Sequence, residues 1–266
     1  MQRVGVEATG GYERGVMRYL QAEGFSLVLL QPLQVRAFAK LHLRRAKNDR
    51  IDAGLIAACT FLLGAQARTP PDQRFDRLGD QLTFIEQLEE DVARCKTRLE
   101  HIVDKRLLRM VAGDIRRLEK RRAAELKLLI ATLRGHPDLA GRFALVLSIP
   151  GIGERTAVAL VLRMPELGQV TREEAASLAG LAPFVHQSGK RRGETHIGGG
   201  RARLRRSLYA AALPASLRWN PALKALYARL TARGKPHKSA LVACARKLLI
   251  YANTVVQRGS PWTAAA

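Results

Sequence analysis

The first quarter of the chain alternates short apolar runs with stretches of helical spacing. Strands are predicted over 2–7 and 25–30, and helices over 12–22, 32–39 and 48–63. The second strand is a continuous apolar run, as expected for a strand buried on both faces of a mainly parallel sheet. Two strands are few for a sheet of this class, so the β-α-β-α pattern is predicted to begin in the middle of a domain.

A long helical region follows the break at Thr69-Pro70-Pro71-Asp72. Apolar residues recur there at spacings of three and four, which predicts one long helix. The pattern shifts near Gly113 and Asp114 and then resumes, which predicts a second helix folded back as an antiparallel hairpin. The apolar stripe must be buried against its own partner helix or against the same hairpin in another subunit, and we favour the dimer. The stripe comprises Leu78, Leu82, Ile85, Leu88, Val92, Cys95, Leu99, Ile102, Leu118, Leu126, Leu129 and Leu133.

The remainder of the chain is predicted to be mostly helical. Two helices flank the turn Pro150-Gly151-Ile152-Gly153. This arrangement is similar to a helix-hairpin-helix element, whose turn amides and following helix N-terminus accept a backbone phosphate. A plain hairpin between two helices explains the same residues equally well. We therefore expect three regions, 1–68, 69–135 and 136–266.

The charge of the chain indicates a polyanionic partner. Lys and Arg total 45 against 23 acidic residues, which gives a formal net charge of +22 and a pI near 11.0. From Lys190 onward there are sixteen Lys or Arg residues and one acid, Glu194. Nucleic acid is the simplest partner for such a surface. A membrane is disfavoured, because no apolar run reaches the ~20 residues that a span needs and no secretory signal is evident.

The three cysteines do not suggest a metal site or a disulfide framework. Cys59, Cys95 and Cys244 are too far apart in sequence for a zinc knuckle, and their number is odd. We expect them to be reduced core thiols in a cytoplasmic protein.

Asp49 and Asp52 are the first candidates for chemistry. They are three residues apart where an apolar helical pattern begins, so both carboxylates project from nearly one side of the first turns. Two close carboxylates repel each other without a counter-charge, and Mg²⁺ prefers oxygen ligands of this kind. Acidic residues also favour a helix N-terminus through the helix dipole, and this second explanation stays open.

Ser188 lies in a second informative stretch, 184–193. It precedes Gly189 and three consecutive cations, Lys190, Arg191 and Arg192, in a segment whose Gly and Pro content predicts a loop. A serine hydroxyl there would be exposed, and the cations would hold a phosphodiester near it. A serine in a basic loop is also commonly a simple phosphate contact, and spacing alone does not separate the two roles.

A glycine-rich segment, 198–200, is predicted to act as a flexible hinge that leads into an arginine-rich helix. Arg201, Arg203, Arg205 and Arg206 point to more than one face of that helix. An arginine-lined face is ordinarily solvated. Few acids accompany these residues, so we predict that Arg201, Arg205 and Arg206 bind nucleic acid, together with Lys190, Arg191 and Arg192.

Taken in order, these segments resemble the insertion-sequence one-ten family of transposases, also described as DEDD transposases or RNA-guided serine recombinases. The resemblance covers essentially the whole chain, and its specificity comes from five modest motifs in the correct order. They lie at 6–13, at 47–53, at 149–153, at 180–183 with 188–189, and at 199–201 with 205–209.

The resemblance implies a fold of α/β plus all-α class. Its parts are a partial RNase H-like (RuvC-like) domain over 1–68, a helical coiled-coil hairpin over 69–135 that dimerises, and a mostly helical C-terminal transposase domain over 136–266. Glu7, Asp49 and Asp52 match the second, third and fourth acids of that family, and Ser188 matches its nucleophilic serine. The acids are then expected to bind Mg²⁺, and the serine to form a covalent link with DNA.

The resemblance also implies partners and an assembly. The family uses a structured guide RNA as well as DNA, and its active site combines the acids of one subunit with the serine of another in a dimer or tetramer. The family's first acid precedes the strand that ends at Glu7, and no acidic residue precedes Glu7 here. We therefore expect that the chain lacks the first strands of the sheet. It is then either a recombinase, which is inactive if truncated, or a non-catalytic remnant that binds DNA and RNA. A junction-cleaving nuclease is a weaker alternative, because such enzymes need no basic serine-bearing domain.

Overall fold

A computed structural model describes residues 3–42, 48–63, 72–188 and 191–263 of the chain. The chain divides into two compact units, one from Met1 to Gln73 and the other from Arg74 to Ala266. Each unit is described by itself.

Among its described residues, the first unit contains two parallel strands and three helices. Strands β1 (Arg3–Glu7) and β2 (Ser26–Leu30) pair in register from Arg3 opposite Ser26 to Glu7 opposite Leu30. The helices are α1 (Glu13–Ala22), α2 (Pro32–Leu41) and α3 (Asp49–Leu63). The core is built from Val28, Leu30, Val35 and Cys59. The predicted β-α-β-α order and the parallel pairing are therefore confirmed among the described residues.

The second unit begins with an antiparallel pair of long helices, α4 (Gln73–Leu99) and α5 (Lys105–Arg134). The prediction of a turn near Gly113 is wrong, since Gly113 lies inside α5. The connection is 100–104 instead, where the Asp104 side chain accepts a hydrogen bond of 2.8 Å from the Leu107 amide and caps α5. An N-cap determines where a helix begins, whereas one glycine inside a helix costs only about 1 kcal/mol.

The apolar stripe of these two helices is partly buried within the unit itself. Leu82, Ile85, Leu129 and Leu133 are fully buried and belong to the same core as the helices that follow. This packing supports burial within one subunit for that end of the stripe. The dimer stays a prediction.

In the part of the chain that the structure describes, the rest of the second unit consists of helices and one β-hairpin. The two helices that flank Gly151, Pro137–Leu147 and Glu154–Arg163, form the predicted helical hairpin. The elements in order are α6 (Pro137–Leu147), α7 (Glu154–Arg163), α8 (Arg172–Leu178), β3 (Pro183–Ser188), β4 (Arg191–Ile197), α9 (Ala202–Pro214), a π-helix (Ala215–Trp219), α10 (Pro221–Ala232) and α11 (His237–Arg258).

The β-hairpin replaces the loop that glycine and proline content predicts around Ser188. Strands β3 and β4 are antiparallel, with Pro183 opposite Ile197 and Ser188 opposite Arg191. Two residues, Gly189 and Lys190, join the paired positions, and both lie outside the described residues. A two-residue connection that begins with glycine is a recognised β-hairpin signal, and the composition of the segment obscures it.

Helix α11 is the one helix of the described residues that is long and apolar enough to cross a membrane. Half of its most apolar window is nevertheless buried inside the unit, and Ala245, Leu248 and Ala252 belong to the core. The core helix of a soluble protein meets the same criteria.

Candidate active site and nucleic-acid interface

The three predicted metal-binding acids all lie in the first unit. Glu7 is the last residue of β1 and is half-buried. Asp49 and Asp52 lie in the first turn of α3, where Asp49 is exposed and Asp52 is half-buried. Asn48 fixes the start of this helix, because its Oδ1 accepts a hydrogen bond of 2.8 Å from the Ile51 amide.

The packing of α3 against β1 brings these acids onto facing surfaces. A Cβ atom added to Gly5 would meet the side chains of Thr60 and Ile56, so α3 covers the face of β1 to which position 5 belongs. Because positions 5 and 7 of a strand share a face, Glu7 belongs to that same face. Spacings of three and four place Asp49, Asp52, Ile56 and Thr60 along one side of α3.

These facing surfaces do not amount to a formed metal site in the described part of the chain. No group of three or more His, Cys, Asp or Glu residues there lies close enough together to hold a metal ion. Within the same residues, the carboxylates of Glu7, Asp49 and Asp52 have no hydrogen-bond or ion-pair partner. Their joint binding of Mg²⁺ therefore stays a prediction.

The loop after Glu7 is held together by a fourth carboxylate, Glu13. Its Oε2 accepts hydrogen bonds from the Thr9 amide at 3.0 Å, the Thr9 hydroxyl at 3.0 Å and the Gly11 amide at 2.8 Å. Burial acts to raise the pKa of Glu13, but hydrogen bonds from its own amide and from those of Gly11 and Thr9 outweigh burial. The pKa of Glu13 therefore lies below its ordinary value.

The predicted nucleophile lies in the second unit. Ser188 is the final residue of β3, and the register places it opposite Arg191, with Gln187 opposite Arg192. Lys190 lies outside the described residues, and only the backbone of Ser188, Arg191 and Arg192 is described. Their roles as nucleophile and phosphate ligands stay predictions.

The predicted nucleic-acid-binding residues around α9 have partners inside the protein. Arg201 forms a bidentate ion pair with Glu166, in which its two terminal nitrogens lie 2.6 and 2.8 Å from the two carboxylate oxygens. Arg205 donates to the carbonyl oxygens of Gly199, at 2.7 Å, and Gly180, at 3.4 Å. A Cβ atom added to Gly200 would collide with the backbone of Gly180. The predicted glycine hinge is therefore a site of close backbone packing.

Helix α9 is also tied to α4 by ion pairs. Arg206, whose side chain is largely exposed, donates a hydrogen bond of 2.7 Å to Glu90, and this bond lowers the pKa of Glu90. Arg203 donates at 2.7 Å to Glu86, a carboxylate whose side chain is only 6% exposed. An external phosphate could accept hydrogen bonds from the same N–H groups of Arg203 and Arg206 only by displacing these carboxylates.

Glu86 is the centre of a charge cluster that sequence reasoning missed. Besides Arg203, it accepts hydrogen bonds from Arg163 at 2.6 Å and from Arg155 at 3.4 Å, so it joins α4 to α7 and α9. A buried carboxylate requires such partners. The signal in the sequence is the group Glu86, Glu89 and Glu90, which falls on one side of an otherwise amphipathic helix.

Comparison with known proteins defines the class of this chain. The family model described as "Transposase IS116/IS110/IS902 family" matches residues 144–228. A second family model, described as "Transposase" and named for the DEDD transposases of IS110, matches residues 1–107. The chain is thus a DNA transposase or recombinase.

Individual relatives give the same result. The chain is 28% identical to the pilin gene-inverting proteins of Moraxella bovis and Moraxella lacunata, over 97% of this chain and 80% of each relative. It is 37% identical to the insertion element IS110 uncharacterized 43.6 kDa protein of Streptomyces coelicolor, over 48% of this chain and 31% of that protein. The chain belongs to the IS110 family of transposases.

Proposed function

We propose that this transposase cleaves and exchanges DNA strands with Ser188 as nucleophile and with Mg²⁺ held by Glu7, Asp49 and Asp52. The observation that carries the proposal is the packing of α3 on the face of β1 to which Glu7 belongs. Carboxylate oxygens without an ion-pair partner suit a hard divalent cation. Since like charges repel in the absence of an ion, we expect cation binding to draw the three groups together.

The chemistry follows from the two kinds of residue. When bound, the cation would polarise the scissile phosphate as a Lewis acid. The Ser188 oxygen would attack phosphorus and release its proton to solvent, while the bond from phosphorus to the departing deoxyribose oxygen breaks and that oxygen takes up a proton. The resulting phosphoserine ester conserves the energy of the phosphodiester, so a deoxyribose hydroxyl of another strand can reverse the step and rejoin the DNA.

The proposal includes partners and an assembly. DNA is the substrate, as for transposases in general, and a guide RNA is the expected second nucleic acid. Following the resemblance to the family, we propose a site that combines the acids of one subunit with Ser188 of another in a homo-oligomer, with the α4–α5 hairpin as its dimerisation element. The pilin gene-inverting relatives are named for DNA inversion, which also requires exchange between two DNA sites.

A non-catalytic remnant of such a transposase, which binds DNA and RNA, is the second candidate. It is favoured by the absence of a three-residue metal-binding group among the described residues. Such a protein would bind DNA and leave the strands intact whether or not Mg²⁺ is present.

Replacing the carboxylates one at a time separates the two candidates. We expect Glu7→Gln, Asp49→Asn and Asp52→Asn each to lower cleavage of a plasmid carrying the DNA that flanks the gene, by roughly 10²-fold or more. Each should also abolish the rise in melting temperature that Mg²⁺ gives the unaltered protein. Glu23→Gln, an exposed change at the end of α1, is the matched control. Equal cleavage and equal Mg²⁺ response in all four variants would refute the metal site.

A further inference from the structure

Helix α5 carries a row of cations on its solvent-facing side. The row, here called the α5 stripe, consists of Lys105, Arg109, Arg116, Lys120 and Lys127, all of which are exposed. At ~100° per residue the five side chains fall within about 60° of arc, and at 1.5 Å per residue they span about 33 Å. The stripe is therefore long, narrow and straight.

Acidic residues do not neutralise the α5 stripe. The helix has ten Lys or Arg residues and three acids, a difference of +7. All three acids have other partners: Asp114 pairs with Arg117, Glu119 pairs with Lys96 at 2.9 Å, and the Glu125 carboxylate lies 3.4 Å from the Gln81 amide nitrogen. Among the described residues, no acid forms an ion pair with any member of the stripe.

The α5 stripe differs in its ion pairing from the arginines of α7 and α9. The acids of α4 neutralise arginines of α7 and α9, as Glu86 does for Arg163 and Arg203. The α5 stripe has no comparable compensation. Its members also stand four residues apart in two like-charged pairs, Lys105 with Arg109 and Arg116 with Lys120, and such pairs destabilise a helix in the absence of a bound anion.

We infer that the α5 stripe binds the phosphate backbone of duplex DNA outside the region where strands are cleaved. The length of the stripe corresponds to about ten base pairs of B-DNA, which carries one negative charge per ~1.7 Å of its axis. A straight row of point charges without aromatic side chains suits backbone contact that does not read bases. This inference rests on the proposed function for its substrate, DNA, but it does not depend on the metal site or on Ser188.

The test measures binding alone, with Ser188→Ala as the parent protein so that cleavage does not interfere. The probe is a fluorescein-labelled, mixed-sequence DNA duplex of about 20 base pairs, twice the length that the stripe covers. The stripe variant is Arg116→Gln, Lys120→Gln, Lys127→Gln. The control is Arg106→Gln, Arg117→Gln, Arg122→Gln, which removes the same charge from other sides of the same helix. Glutamine suits a helix nearly as well as arginine and lysine do.

We expect the stripe variant to weaken binding roughly tenfold or more at low salt and to lower the slope of log affinity against log salt by up to ~2.7, about 0.9 per lost contact. The control variant should lower this slope by less than about 1. Equal losses of DNA affinity in the stripe variant and the control would show that only the net charge matters, and would overturn the inference. Unchanged DNA binding would also overturn it, as would a loss confined to a hairpin RNA probe. If the triple variant does not fold, Arg109→Gln with Arg116→Gln replaces it, and Arg109→Lys with Arg116→Lys should retain binding.

Discussion

A single side chain, that of Glu13, determines the path of the loop beside the candidate site. Its carboxylate binds the amides and hydroxyl of the loop that follows Glu7, and so fixes the path of the chain as it leaves β1. The sequence shows Glu13 only as part of a motif, because helical spacing does not reveal that a carboxylate at a helix start turns back toward the preceding loop. Asn48 plays the corresponding part for Asp49 and Asp52, as the cap of α3.

Glu13→Gln should therefore destabilise the first unit in a pH-dependent way. The pKa of Glu13 is lowered in the folded protein, so its contribution is complete above the ordinary value of 4.5 and is lost as pH falls through the lower, folded value. We expect a loss of about 1 kcal/mol at neutral pH, since the hydrogen bonds are charge-assisted but partly exposed to solvent.

Hydrogen exchange of the first unit near neutral pH and at about pH 3 measures this difference. Glu23→Gln serves again as the control, and it should change stability little at either pH. Equal destabilisation of the Glu13→Gln variant at both pH values would show that the ionised carboxylate of Glu13 does not stabilise the loop.

At the scale of elements, periodicity predicted most helices and strands to within a few residues. The parallel pair β1 and β2, the helix α3 and the long helices α4 and α5 all follow from apolar spacing. Two of the errors have local physical causes. The cap at Asp104 outweighs the weaker helix propensity of Gly113, and the antiparallel pairing of β3 with β4 forms a hairpin despite a composition typical of loops.

The turn between α6 and α7 provides a test at this scale. Gly151 has φ of +95°, and a Cβ atom there would collide with Ala215 at the start of the π-helix. Gly151→Ala should destabilise the second unit by about 2–4 kcal/mol, from left-handed backbone strain together with overpacking. Denaturant unfolding followed by circular dichroism measures the change.

Gly141→Ala is the matched control for this substitution. Gly141 lies within α6, and a Cβ atom at that position has open space around it. Alanine should therefore stabilise the helix by about 0.5–1 kcal/mol. Similar stability of the two variants would show that the turn does not depend on close packing of Gly151.

At the scale of the whole molecule, net charge predicted a nucleic-acid partner but not the surface that meets it. The arginines around α9 looked free in sequence because their partners, Glu86, Glu90 and Glu166, are distant along the chain. The spacing of residues within one helix does not reveal ion pairs with residues that are distant in sequence. The α5 stripe, by contrast, follows from helical periodicity once α5 is known to be a single continuous helix.

The candidate active site was predictable from the sequence to different degrees. Helical spacing alone identified Asp49 and Asp52 as a pair. Ser188 was singled out by the glycine and the three cations that follow it, and the resemblance to the family gave it the role of nucleophile. Glu7, the last residue of a short strand, was identified by that resemblance. Glu7 and Ser188 belong to different units, and periodicity within one helix or strand carries no information about residues so far apart in sequence.

The most direct measurement is the identity of the residue that becomes joined to DNA. We predict that the full-length protein with Mg²⁺ and a plasmid carrying its flanking DNA traps a covalent adduct, and that mass spectrometry of the digested adduct places the nucleotide on Ser188. Ser188→Ala should abolish the adduct, while Ser260→Ala, a change at an exposed serine after α11, should leave it intact. An adduct that survives Ser188→Ala, or one that maps to another residue, would contradict the account.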